Sequence, residues 1–114
     1  MARLRSGRDT AAAVVRLRAE ELDVVAAAAT VEGRDDEHDP DGATPAFDRA
    51  LAVGLLSQAE QHLVELDAAL DRAAAGTYGV CGGCGGLIPT ERLEARPAAA
   101  FCVPCQARRI TGPG

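Results

Sequence analysis

All four cysteines of the chain fall in two short pairs, Cys81-Gly82-Gly83-Cys84 and Cys102-Val103-Pro104-Cys105, with 17 residues between them. This spacing lies in the range of a four-thiolate metal site. Each short loop can turn two sulfurs towards one ion, and two loops complete the tetrahedron that Zn2+ favours, with no position left for a substrate. Gly85 and Gly86, just after the second cysteine, suit the tight knuckle that such a loop needs. Two disulfides would require an oxidising destination, and no secretory signal supports one. A thioredoxin-like Cys-x-x-Cys needs one redox pair in a strand-to-helix setting, whereas here two pairs stand among glycines. An iron centre on the same four thiolates satisfies the same spacing, because metal identity is softly encoded. One structural zinc per chain on Cys81, Cys84, Cys102 and Cys105 is the expectation.

The rest of the chain has little else to build a thick core from. Of its 114 residues 24 are alanine, with two Phe, one Tyr and no Trp. Such a composition suits long helices packed closely in a pair, plus a small module held by metal, within one domain. The net charge of −5 argues against nucleic-acid binding over the whole surface. The start, Met1-Ala2-Arg3-Leu4-Arg5, is charged with no apolar run after it, and the weakly apolar Val24 to Val31 is too short for a bilayer. A cytoplasmic protein without a membrane partner is expected.

Residues 1–9 carry Arg3, Arg5 and Arg8 and are expected as a basic, flexible N-terminus. From Thr10, a suitable N-cap, to about Val31 the pattern is helical. Its expected stripe is Val14, Leu17, Val24, Ala28 and Val31, widened by Val15, Leu22, Val25 and Ala29. Gly33, Pro40 and Gly42 then interrupt it, and six carboxylates crowd into residues 32–41, marking an acidic loop at about 33–44. Thr44-Pro45 restarts a helix with Pro at its first position, and Gly76 stops it after Ala75. Leu56, Ala59, Leu63, Leu66, Leu70 and Ala73 alternate three and four apart, a coiled-coil seam, and Phe47, Leu51 and Leu55 extend it. Neither helix is stable alone, so residues 10–75 are expected to form an antiparallel hairpin with its acidic loop at the tip. His62 reads as a partly exposed packing residue and His38 as solvated. Residues 76–110 form the metal module. Leu87-Ile88 is a short strand candidate there, Leu93 and Phe101 cover the site, and a short helix follows Cys105 before the flexible residues 111–114. Arg92, Arg96, Arg108 and Arg109 make this end basic, and a four-thiolate zinc site of formal charge −2 gives such arginines an electrostatic role. The fold class is thus mostly α: a two-helix coiled-coil hairpin, a small four-cysteine zinc-finger module and a short C-terminal helix.

The segment Gly76-Thr77-Tyr78-Gly79-Val80-Cys81-Gly82-Gly83-Cys84-Gly85, with Ile88-Pro89, Arg92-Leu93-Glu94-Ala95-Arg96-Pro97 and Cys102-Val103-Pro104-Cys105, resembles the DksA/TraR zinc-finger family. The likeness covers about 30 residues closely, and the preceding hairpin fits that family's coiled-coil arm. It implies a protein that binds bacterial RNA polymerase directly, inserting its arm into the secondary channel so that an acidic tip approaches the active centre. It implies no base-specific DNA binding. The family's Asp-x-x-Asp-x-Ala tip motif is matched in its second half by Asp48-Arg49-Ala50, while Pro45 stands at the place of the first Asp. Asp39 and Asp41 offer carboxylates in the adjoining loop. Arg96 matches an arginine that in the family helps to form a ppGpp site, with Arg92 beside it on the same module. Gln106 and Glu65 replace the basic groups expected with Arg96, which weighs against a ppGpp response.

Two other function classes fit parts of the sequence. A zinc-ribbon nucleic-acid module would rely on Arg92, Arg96, Arg108 and Arg109, with only Tyr78 and Phe101 to stack on bases near the metal. An adaptor whose hairpin binds a protein other than polymerase fits the amphipathic helices equally well. The closed four-cysteine site and the absence of a nucleophile–base pairing speak against an enzyme.

Overall fold

The structure, a computed structural model, describes residues 2–32 and 45–110, and of residues 29–32 and 45 the backbone alone. Four helices follow in order: α1 (Ala2–Glu32), α2 (Pro45–Ala75), α3 (Thr90–Ala95) and α4 (Val103–Ile110). They belong to two compact units, Asp9–Leu63 and Met1–Arg8 with Val64–Gly114. The first holds α1 from Asp9 onward and α2 as far as Leu63. The second holds the start of α1, the end of α2 and everything after it. The expected tip residues Asp39 and Asp41, the loop around them, His38 and residues 111–114 lie outside the described residues.

In the second unit the guanidinium of Arg8 on α1 donates to the carboxylate of Asp67 on α2 at 2.9 Å, so the two helices run antiparallel. Both side chains of that pair are close to half exposed, and such a pair contributes only about 0–1 kcal/mol. Apolar burial is what holds the helices. Along α2 the expected seam is the observed one: Ala59 and Leu66 are buried, Leu56, Leu63, Leu70 and Ala73 half-buried, and Ala69 beside them is fully enclosed. Ala52 extends the row with the same spacing. Phe47 (61% exposed) and Leu51 do not continue it, contrary to expectation.

Two expectations about α1 are corrected. The helix starts at Ala2, so residues 2–9 are not a tail. Its first turn carries arginines and no carboxylate, which costs about 0.3–1 kcal/mol at a helix N-terminus. Leu4, however, is only 3% exposed, and burying a leucine stabilises by roughly 1.5–3 kcal/mol, so burial wins. The seam of α1 also differs from the expected stripe. Leu4 and Ala11 are buried, and Arg8, Val15, Arg18, Leu22 and Val25 are half-buried, a row alternating four and three apart. Leu17 and Val24 of the expected stripe are exposed, Val24 by 69%. Arg8 and Arg18 occupy seam positions with their aliphatic stems, which hid the row from an apolar count. His62 is exposed rather than packed. None of the described helices is long and apolar enough to cross a membrane.

Helix α2 ends as its sequence requires. Gly76 takes φ +81°, its N–H donates to the Ala73 carbonyl at 3.3 Å, and the Thr77 N–H donates to Arg72 at 2.9 Å. This is the paired arrangement of a Schellman stop, in which glycine avoids the strain of the left-handed conformation. A Cβ at Gly76 would meet nothing within 4 Å, so Gly76→Ala tests backbone strain alone. It should lower stability by about 1 kcal/mol. Gly54→Ala, in the exposed interior of α2 with equally open surroundings, should raise it by about 0.5–1 kcal/mol. Thermal melts of the two variants followed by circular dichroism should therefore move in opposite directions.

Candidate metal centre

The first cysteine pair sits in a knuckle built by backbone bonds. Gly79, buried and at φ +86°, accepts from the Ile88 N–H at 2.7 Å, and Val80 forms an isolated antiparallel bridge with Leu87. Beyond that bridge the Cys81 N–H donates to Gly86 at 2.7 Å and the Gly85 N–H returns to Cys81 at 3.0 Å. Gly85 supplies the expected positive φ, +75°, whereas Gly86 has no such conformation. The expected Leu87-Ile88 strand is thus reduced to one bridge.

The second pair opens α4. Cys102 immediately precedes the helix and accepts from the Gln106 N–H at 2.9 Å, while Cys105 lies in the first turn. Pro104 fits there because the first turn's N–H groups lack intrahelical partners. The helix begins before Cys105, not after it as expected. Helix α3 was not anticipated at all; six residues are too few to show a periodicity.

Together the two loops bring all four Sγ atoms within 4.8 Å of one another. The sulfur of Cys102 lies 3.7 Å from that of Cys81 and 4.0 Å from that of Cys84. Zinc–sulfur bonds of about 2.3 Å in a tetrahedron place neighbouring sulfurs about 3.8 Å apart, so this donor set fits Zn2+. Cys81 and Cys105 are buried with Ile88, and Leu93, Phe101 and Cys102 pack against them, the cover expected of Leu93 and Phe101. Backbone N–H groups, first that of Cys102 and then those of Cys84 and Gly83, hold the Cys81 thiol down at about 6. The Cys105 thiol is instead pushed up to about 11, first by its hydrogen bond with Cys102 and then by burial, against the opposing pull of Arg108. The two neighbours are thus driven apart: without a cation, the cluster does not favour four thiolates at once.

The segment from Pro97 to Phe101 joins α3 to α4 without regular structure, yet each of its five carbonyls receives a hydrogen bond. The Tyr78 hydroxyl donates to Pro97 at 2.8 Å, and Arg72 Nη2 donates to Ala98 and Ala99 at 3.3 and 3.5 Å. The Gly82 N–H donates to Ala100 at 2.9 Å, and Arg92 Nε to Phe101 at 2.8 Å. Arg92, expected at a partner interface with Arg96, is therefore half-buried and tied into the module. Arg96 is exposed, and among the described residues no side-chain hydrogen bond or ion pair of the module includes it.

Sequence reasoning missed Arg72 and Tyr78 as braces. It also missed Gly83, where a Cβ would lie 3.0 Å from the Cys105 sulfur and 3.1 Å from its Cβ. The signal for Gly83 was present in the Gly-Gly between Cys81 and Cys84, but its reason is tertiary.

A small finger that closes a four-sulfur cluster on the end of a helical hairpin defines the class of protein. Residues 76–110 match the prokaryotic DksA/TraR C4-type zinc finger. The structure is similar to that of transcription factor DksA2 from Pseudomonas aeruginosa, with a TM-score of 0.71 and 27% identity over 95% of this chain and 78% of that one. Among curated relatives, the RNA polymerase-binding transcription factor DksA of Caulobacter vibrioides is 38% identical over 68 residues, 60% of this chain and 48% of its own. The uncharacterised protein YteA of Bacillus subtilis is 39% identical over 64 residues, 56% of this chain and 27% of its own. The chain thus spans half or less of the length of these two curated relatives.

Gly83→Ala should weaken zinc retention about tenfold, since overpacking a tight site costs about 1–3 kcal/mol. Gly86→Ala, whose Cβ would meet Cys84 Sγ at an ordinary 3.5 Å, should change it little. Competition with a chromophoric chelator measures both.

Proposed function

We propose that the chain is a zinc-containing transcriptional regulator that binds bacterial RNA polymerase directly, its hairpin arm entering the secondary channel. The observation that carries this reading is the combination of an antiparallel helical hairpin with a C4 finger of this family, in a fold similar to a named transcription factor. The polymerase-binding name of the Caulobacter relative supports the choice of partner. Residues 10–75 serve as the arm and 76–110 as its metal-held base, with one Zn2+ per chain on Cys81, Cys84, Cys102 and Cys105. The zinc is structural: four thiolates fill its coordination sphere, and the chain acts by binding rather than by catalysis.

Two surfaces would meet polymerase. On the arm, Asp48 lies in the first turn of α2, half-exposed, with Arg49 and Ala50 exposed beside it. Asp39 and Asp41, which lie outside the described residues, are proposed to act with them. Phe47 and Leu51 on the same turns expose apolar area that a protein partner would cover. On the finger, Arg96 is exposed and outside the carbonyl braces, whereas Arg92 contributes to contact through the segment it holds. A response to ppGpp would rest on Arg96 without the basic partners replaced by Glu65 and Gln106, so it is weak or absent. Base-specific DNA contact and membrane attachment form no part of this reading.

Co-purification with core polymerase and in vitro transcription test it. Arg96→Ala should weaken polymerase binding several-fold while leaving zinc content and melting temperature unchanged. Asp48→Asn should retain binding and lose most of the effect on transcription at matched polymerase occupancy. A wild-type protein that fails to bind polymerase overturns the proposal; release of zinc by Arg96→Ala would make that residue structural instead.

Metal analysis of the purified protein should return one zinc per chain, and Cys84→Ser or Cys102→Ser should unfold residues 76–110. Structural zinc sites of this kind contribute roughly 10–16 kcal/mol of apparent binding energy, which a small module cannot replace. Iron in place of zinc, or no metal with all four thiols titratable, contradicts the assignment.

A further inference from the structure

The last turn of α4 carries two adjacent arginines that the proposed function does not use, and they have different neighbours. Arg109 lies over the Phe101 ring, 4.3 Å from its centroid. Arg108 points at the metal centre: its Nη2 is 2.9 Å from the Cys105 sulfur. The backbone donors to Cys81, from Gly83 and Cys102, are each at 3.3 Å. The i, i+3 spacing of Cys105 and Arg108 puts both on one face of α4, so the helix itself delivers the guanidinium to the sulfur.

We propose that Arg108 is a positioning residue of the metal centre, whose guanidinium orients the Cys105 sulfur and offsets its charge in the zinc-bound site. The inference rests on the zinc reading above. Four thiolates around one Zn2+ leave a formal charge of −2, and a charge-assisted hydrogen bond to one of them stabilises that excess where it sits. Cys81 draws this support from backbone N–H groups; Cys105 draws it from a side chain. A cation in the last turn of α4 also favours the helix through its dipole, but Arg109 shares that role fully. Contact with the sulfur separates the two residues. The planar fork of arginine also fixes direction, which the point charge of lysine does not.

The test compares Arg108→Gln, Arg108→Lys and Arg109→Gln with wild type in the full chain. Loss of an outer-shell partner weakens metal binding by about 10–100-fold, and for an exposed arginine the lower end applies. Arg108→Gln should therefore hand zinc to a chelator about tenfold faster, and Arg108→Lys should recover part of the difference. With Co2+ in place of Zn2+, the thiolate-to-metal charge-transfer absorption of Arg108→Gln should move to lower energy, because its sulfur has lost a cation. Arg109→Gln removes the same charge from the same turn and should leave that band in place. Equal rates and bands for the two Gln variants would overturn the proposal and reduce both arginines to helix-end charges. A wild-type chain that takes up neither metal would overturn the zinc reading itself, and this inference with it.

Discussion

Four thiolates held within 4.8 Å of one another are an unfavourable arrangement until a cation offsets their charge, and the finger is built around that constraint. The module is too small to hold the sulfurs together by apolar burial alone, since its buried hydrophobic residues among those described are Cys81, Ile88 and Cys105. Two devices share the task. Backbone bonds across the first knuckle fix Cys81 and Cys84, and the opening turn of α4 fixes Cys102 and Cys105. Glycine is needed where the two halves close on each other, because Gly83 lies against Cys105 with no room for a side chain.

The hairpin obeys a different economy. Its buried positions are alanines and leucines in a three-four alternation, so the helices gain stability from close approach over length rather than from large side chains. In the described part of α1 the polar groups of the seam are Arg8 and Arg18, whose stems can lie along the apolar face while their heads remain wet. That is why Arg8 and Arg18 are half-buried without an energetic penalty that would break the helix.

Much of this was legible in the residues. The clustering of the four cysteines, the limits of α2 and its seam follow from spacing and from Gly76, because these depend on local chemistry. The seam of α1 was not legible: arginines occupy some of its positions, and Val24 competes with them as an apolar residue that turns out to face solvent. The start of α1 was misjudged for a related reason, as basic charge at a helix start argues against helix while the burial of Leu4 favours it. At the sulfur cluster, the four cysteines announced themselves and their supports did not. Arg72, Tyr78, Arg92 and Arg108 act on atoms between 3 and 27 residues away, on carbonyls and a sulfur whose positions only the folded chain defines.

The five braced carbonyls from Pro97 to Phe101 have a mechanical consequence. Gly76 and Gly79, with free backbone torsions, would make the junction after α2 a swivel if the chain path were its only connection. Arg72 belongs to the last turn of α2, and its acceptors, Ala98 and Ala99, lie on the far side of the finger's sequence. Tyr78 adds a second tie to Pro97 from within the junction itself. The finger is therefore mounted on α2 at two points instead of one, as a bracket is, and a torque applied to the finger passes into the helix instead of being lost in the hinge.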